Sequence, residues 1–203
     1  EGGGEGPPIG HCRRGGVRVD DTLATEVANR LAAGEAVGGA NGANRLSGNA
    51  ITEAFVFGEL AGRSAAEAAA KSSMPDVRDV ASPYLAVIDE AGRRPESDGA
   101  RTPTAAIADL QSILQRDVGP FRSGGGLKRA LAAIAELADE LPLMATGGAM
   151  AFNQQFADWL ALRNMLEVAR TIAAAALART ESRGAHQRED HPSLDEAWTC
   201  NQI

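Results

Sequence analysis

Apolar residues recur at helical spacing in three stretches of the second half of the chain. Residues 104–116 place Ile107, Leu110 and Leu114 on one face, and residues 127–141 place Leu127, Leu131, Ile134, Leu137 and Leu141 on one face. Residues 151–179 carry Phe152, Phe156, Leu160, Leu166, Ala169, Ile172 and Ala176 in the same way. Three such helices can bury one another's stripes as a small bundle. An earlier helix is expected from Asn49, a suitable N-cap. Thr52 and Glu53 fall in its first turn, Ile51, Phe55, Leu60 and Ala61 form a stripe expected to be buried, and an alanine-rich end lies near Lys71. Upstream the period changes. Residues 15–20, GGVRVD, alternate as a short strand does, and residues 31–33 read as a second strand entering a glycine-rich turn at Gly34. Residues 72–103, interrupted by Pro75, Pro83 and Pro95, read as irregular, and residues 118–126 with Gly147 and Gly148 read as turns. The polar stretch from His186 reads as an extended tail lying on the domain. The expected class is α+β, mainly α.

Composition narrows this picture. The chain has 203 residues, 44% of them hydrophobic but only 4% aromatic, so alanine dominates the apolar content and closely packed helices are favoured. A formal charge of -7 argues against a nucleic-acid surface, which needs clustered lysine and arginine. Cys12 and Cys200 lie far apart, which suggests reduced thiols and a cytoplasmic location. No apolar run reaches the roughly 20 residues of a spanning helix, so direct membrane insertion is not expected. The chain opens on EGGGEGPP without an initiator methionine and reads as a trimmed or internal start. Gly2 to Gly4 and Gly124 to Gly126 read as flexible linkers, not phosphate loops. His186 and His191, with acids between them but no third fixed ligand, do not read as a metal site.

Four motifs stand out: AGEAVGG at residues 33–39, GANRLSGNAITE at 42–53, LQSILQRDVGPFRSGGGLKRAL at 110–131 and ESRGAHQREDHP at 181–192. Together they resemble the succinate dehydrogenase and fumarate reductase flavoprotein family, whose relatives include L-aspartate oxidase and adenylylsulfate reductase. The resemblance runs over roughly residues 8–198. It implies the C-terminal piece of an FAD-binding domain at residues 1–74, a linker at 75–103, and a helical C-terminal domain at 104–203. It also implies an oxidoreductase that moves a hydride between a C4 dicarboxylate, succinate or fumarate, and FAD.

Within that resemblance, Arg45 matches the arginine that binds a substrate carboxylate, a task suited to a planar guanidinium fork. His11 matches a histidine that hydrogen-bonds the substrate's other carboxylate, and Gly48 a backbone contact to substrate. Glu35 matches an acid that accepts hydrogen bonds from cofactor hydroxyls, with Gly34, Gly38 and Gly39 allowing close backbone approach. Ala50 and Ile51 match backbone positions at the flavin ring, where a helix N-terminus can stabilise negative charge. The pattern departs from the family at Arg13 and Arg14, which replace small or apolar residues. It departs again at Asn41, where relatives commonly have histidine, and at Ala50, where serine is usual. His186 and Arg183 are expected to lock the bundle onto the flavin domain.

No catalytic residue is assigned to this chain. The G-x-G-x-x-G dinucleotide fingerprint does not occur in it, nor does the capping domain that supplies the catalytic arginine in the family, nor a histidine for covalent FAD. The expected partners are therefore the missing N-terminal flavoprotein half and an iron–sulfur subunit, with a peripheral position at the inner face of a membrane reached through a partner. The chain alone is expected to be inactive. The alternatives are a fragment of an L-aspartate oxidase-type flavoprotein and a non-catalytic helical interaction module. Adenylylsulfate reductase fits less well, because a sulfonucleotide gives the pair His11 and Arg45 no purpose.

Overall fold

The computed structural model describes residues 15–46, 48–73, 76–92, 101–144, 146–147 and 151–202. The chain divides into two units, Glu1–Met74 with Asn201–Ile203, and Pro75–Cys200.

In the first unit the expected strands shrink to single bridges, Val17 with Val37 in parallel and Ala24 with Leu31 antiparallel. Side-chain bonding explains the tight turn between them: Asp20 Oδ1 accepts from the Thr22 hydroxyl (2.7 Å), the Thr22 amide (2.9 Å) and the Ala24 amide (3.0 Å). These donors, the Thr22 hydroxyl foremost, hold the Asp20 carboxyl below its usual range. A single 3-10 turn, Gly34–Ala36, follows, and then the long helix α1, Asn49–Lys71. Gly48, not Asn49, is its N-cap.

The expected buried stripe on α1 is overturned. No residue of this helix is buried; Ile51 is 67% exposed and Phe55 75%. An amphipathic face buries only against a second layer, and Leu23 is the sole buried large hydrophobic among the described residues of this unit.

The second unit is built on the expected three helices, with a fourth added. Residues 77–92, read from sequence as irregular, form helix α2, Val77–Gly92. Pro83 withdraws one N–H from its ladder, but the remaining turns are kept, and Val87 packs against the bundle core. Helices α3 (Pro103–Asp117), α4 (Gly124–Glu140) and α5 (Gln154–Ala178) follow. Each of these three is capped by a side chain: Thr102 accepts from the Ala105 amide at 3.2 Å, Ser123 from Gly126 at 3.2 Å, and Asn153 from Phe156 at 3.0 Å.

The core seam differs in detail from the sequence expectation. On α5 the buried residues are Trp159, Leu162, Leu166, Ala169, Ala173 and Ala176, spaced alternately by three and four as in a coiled-coil seam. Phe156, Leu160 and Ile172 flank it, partly buried, while Phe152 is fully exposed. Ala106 of α3 and Ala130 of α4 lie in the same core. Alanine at the seam lets helix backbones approach, so the larger residues were the wrong guide to its centre. The Trp159 indole donates to the Leu141 carbonyl at 2.9 Å, satisfying its one polar atom.

The segment after α5 fastens the bundle. Strand β1, Phe121–Arg122, pairs in parallel with β2, Gln187–Arg188. Arg188, 3% exposed, donates through Nη1 to the carbonyls of Ala176, Leu177 and Arg179 at 3.0–3.1 Å, so it closes the C-terminus of α5. Its other two nitrogens grip Asp190 in a bidentate pair, both at 2.8 Å, and Asp190 Oδ2 accepts the Gly124 amide at 2.9 Å. One ion pair thus joins the end of α5 to the start of α4. A Cβ on Gly124 would lie 2.8 Å from Asp190 Oδ2, and one on Gly126 3.1 Å from Asp117 Oδ1. Residues 124–126 are therefore the first turn of a helix against which two carboxylates close, not the flexible linker expected from sequence.

Glu181 is fully buried. Its oxygens take Arg183 Nε at 2.8 Å and Nη2 at 3.0 Å, the Asp195 amide at 3.0 Å, and a further bond from Arg179. The Arg183 bonds, followed by those of the Asp195 amide and Arg179, outweigh the burial that opposes them and hold its carboxyl at about 2 instead of the ordinary 4.5. Arg179 also stacks over Trp198 at 5.1 Å and donates to the Trp198 and Cys200 carbonyls. The stretch expected to be a tail is thus tied along its length to the bundle. His186 Nε2 lies 3.2 Å from the Arg179 carbonyl, and burial pushes this imidazole below its usual range.

Three outcomes follow from this packing. Leu162→Ala, at a fully buried seam position, should cost about 2–5 kcal/mol of stability in denaturant unfolding of the second unit. Gly124→Ala should cost about 1–3 kcal/mol, because the Asp190 carboxylate has to move. The Glu181 carboxylate is depressed in the folded state, so its contribution is fully present above pH 4.5 and is lost as pH falls towards about 2. Glu181→Gln should lower stability at neutral pH and flatten that acid limb, as read from denaturation midpoints against pH.

Candidate functional site

Of the substrate- and cofactor-site candidates, Glu35, Arg45, Gly48, Ala50 and Ile51 lie in the first unit, and His11 lies outside the described residues. The site is built from two backbone crossings and one helix start. At the first crossing, the Val17 amide donates to Ala36 O at 2.8 Å and the Gly38 amide to Val17 O at 3.1 Å. A Cβ on Gly16 would meet Ala36 O at 2.5 Å, and one on Gly38 would meet Gly16 N at 2.9 Å. Both positions exclude any larger residue, and this close approach fixes the AGEAVGG segment beside residues 15–17. Gly34, buried and at φ +66°, turns the chain so that Glu35 is exposed in the 3-10 turn.

The second crossing is a side-chain bond. Asn41 Nδ2 donates to Glu53 Oε1 at 2.7 Å, with both residues half-buried, and joins the glycine loop to the second turn of α1. Sequence reasoning flagged Asn41 only as a departure and Glu53 only as a first-turn residue. The signal for their pairing is an amide and a carboxylate flanking a short loop that re-enters a helix.

The helix start carries the remaining candidates. Arg45 is half-buried, with Nη1 3.4 Å from the Leu46 carbonyl. Gly48 takes φ +92°, a conformation that strains any residue with a Cβ, and so turns the chain directly into α1. The Asn49 amide donates to Leu46 O at 3.3 Å and the Ile51 amide to Gly48 O at 3.1 Å, tightening the first turn. Among the described residues no side chain caps this N-terminus and its first turn holds no acid, so its positive dipole end is not neutralised locally. Arg45, Gly48, Ala50 and Ile51 are thus brought to one helix end, with Glu35 on the neighbouring turn. Such an end suits an anionic group, with the guanidinium adding charge and a planar fork.

His186 and Arg183, by contrast, are structural members of the second unit, where Arg183 pairs with buried Glu181. Among the described residues no cluster of three or more His, Cys, Asp or Glu side chains could hold a metal ion, and no helix is long and apolar enough to cross a membrane.

Comparison with known proteins gives the family. The family described as the fumarate reductase flavoprotein C-terminus matches residues 107–203. The CoM/CoB fumarate reductase of Methanothermobacter marburgensis contains a polypeptide that is 39% identical over 197 residues, covering 94% of this chain and 34% of that polypeptide. The L-aspartate oxidase of Rhodospirillum rubrum is 38% identical over 191 residues, covering 94% of this chain and 59% of that one. Among solved structures, the Sdh1 complex of Mycobacterium smegmatis in the apo form superposes with a TM-score of 0.81 at 34% identity, over 90% of this chain and 31% of the matched chain. The chain spans about a third of the length of most of the relatives it matches. It belongs to the succinate dehydrogenase and fumarate reductase flavoprotein family, and what it matches there is the C-terminal part.

Proposed function

We propose that this chain supplies the substrate-facing part of the flavin site in an FAD-dependent oxidoreductase that moves a hydride between a C4 dicarboxylate and flavin. The observation that carries the reading is the placement of Arg45 and Gly48 at the uncapped start of α1, in a chain of this family. Bound FAD would supply the hydride acceptor or donor at N5.

The residues present fit one edge of such a group. Gly34, Gly38 and Gly39 offer no side chain that would block close approach, and exposed Glu35 is an acceptor for hydroxyl donors. The first turn at Ala50 and Ile51 presents a positive dipole end to negative charge. Arg45 binds a substrate carboxylate through its fork and stays charged throughout, so it orients the dicarboxylate and does not deliver a proton. His11 holds the second carboxylate. The proton donor comes from the capping domain of the assembled protein.

The division of labour proposed along the chain is a flavin-domain portion at residues 1–74, a connection at 75–103 and the helical domain from 104 onward. The dinucleotide-binding half comes from outside these 203 residues, and an iron–sulfur subunit carries the electrons on. The exposed Ile51, Phe55, Val56 and Leu60 on α1 support this, because large apolar side chains grouped in water mark a surface that another element covers. The working location is cytoplasmic, with attachment to the inner face of a membrane through a partner. An L-aspartate oxidase-type flavoprotein is the second reading, favoured by the 38% identity to the Rhodospirillum rubrum enzyme. A helical interaction module that has lost FAD is the third.

The intact mass and visible spectrum of the native protein separate these classes. A yellow species whose polypeptide content exceeds 21.0 kDa is expected; a colourless 21.0 kDa chain alone would favour an inactive fragment or the interaction module. In the FAD-loaded assembly, Arg45→Lys keeps the charge but removes the fork. It should weaken dicarboxylate binding about ten- to hundredfold, the scale of a charge-assisted bond, with the flavin spectrum retained. Unchanged succinate and fumarate affinities would remove Arg45 from the substrate site.

A further inference from the structure

We infer that Glu53, through its hydrogen bond with Asn41, is a positioning residue for the carboxylate-binding Arg45. The inference rests on the proposed function for its ligand and on the geometry of α1 for its mechanism. Residues 42–48 leave the glycine-rich segment at Asn41 and enter α1 at Asn49. That loop turns at two glycines with positive φ, Gly42 at +56° and Gly48 at +92°, which by themselves add conformational freedom instead of removing it. Something must therefore fix the loop at each end if Arg45, midway along it, is to present its guanidinium in one register.

At the helix end, backbone bonds do this: Asn49 N to Leu46 O and Ile51 N to Gly48 O. At the other end the 2.7 Å bond from Asn41 Nδ2 to Glu53 Oε1 ties the loop to the second turn of α1. Both side chains are half-buried, so water competes less for this bond than it would on an open surface. Glu53 lies four residues beyond Asn49 and so faces back over the helix start, along the direction in which helical side chains lean. Its use as the acceptor for Asn41 is what couples Glu53 to the loop.

The pair allows a test by exchange of polarity. Asn41→Asp keeps the shape but replaces the donor with a second carboxylate facing Glu53. Glu53→Gln keeps an acceptor oxygen. The double variant Asn41→Asp with Glu53→Gln restores a bond with donor and acceptor reversed. Fumarate binding to the FAD-loaded, oxidised assembly, followed by perturbation of the flavin absorbance, gives the dissociation constant without turnover. Amide hydrogen exchange at residues 42–46 reports loop order without ligand, and exchange along α5 serves as the control for folding.

Asn41→Asp should raise the fumarate dissociation constant about tenfold and speed exchange at residues 42–46, while α5 is unchanged. The double variant should recover most of both effects. In an Arg45→Lys background, Asn41→Asp should add little, since the residue acts through Arg45. The inference is overturned if wild type binds fumarate but Asn41→Asp binds it equally well, if the double variant fails to recover, or if the losses from Asn41→Asp and Arg45→Lys are additive. Absence of fumarate binding in the wild-type assembly is a different pattern; it would sink the proposed function and this inference with it.

Discussion

The bidentate pair between Arg188 and Asp190 is the contact on which the second unit depends. Helix termini are where a bundle is weakest, because the last carbonyls of one helix and the first amides of the next have no intrahelical partners. Arg188 satisfies three carbonyls at the end of α5, Asp190 satisfies the first amide of α4, and the two side chains are bonded to each other at 2.8 Å. The charges match the dipoles at both ends, cation on the C-terminus and anion on the N-terminus. Because Arg188 is buried, losing Asp190 would strand a desolvated charge, so the two residues act as a unit.

That contact explains features that otherwise look unrelated. The three glycines that open α4 are poor helix formers, yet Gly124 and Gly126 stand where Asp190 and Asp117 press on the backbone. Asp117, nearly buried, is kept ionised by Arg116 and Arg129, whose bonds overcome the burial that opposes them. Glu181 repeats the scheme with Arg179 and Arg183. Carboxylates and guanidiniums thus replace apolar packing around the ends of a bundle whose seam is rich in alanine and whose apolar core is correspondingly thin.

Sequence made the helices legible because their stripes are long and periodic: α3, α4 and α5 fall within a few residues of where the pattern puts them. It misplaced the centre of the α5 seam because a hydrophobic scale favours Phe152 and Leu160 over Ala173, while close packing selects the smaller residue. It missed α2 because Pro83 reads locally as a breaker, although a helix can lose one N–H and continue. Gly124 to Gly126 read as a linker because nothing local reveals that Asp190, far along the chain, closes on them. At the candidate site, the motifs identified Arg45, Gly48 and Glu35, and the structure describes the turns that carry them. The Asn41 to Glu53 bond was not legible, since neither residue is distinctive until the loop closes.

The two units differ in what stabilises them. The second has a core of its own, capped helices and buried ion pairs, so its fold is accounted for by its own residues. The first has a few backbone crossings, one buried leucine among its described residues and a helix of 23 residues with none buried. Such a helix owes little to tertiary packing within the unit, and an isolated helix holds only marginally in water. The candidate site residues all belong to this sparsely packed unit. The local fastenings, Gly48 at the helix start and Asn41 on Glu53, hold the two ends of the loop that carries Arg45.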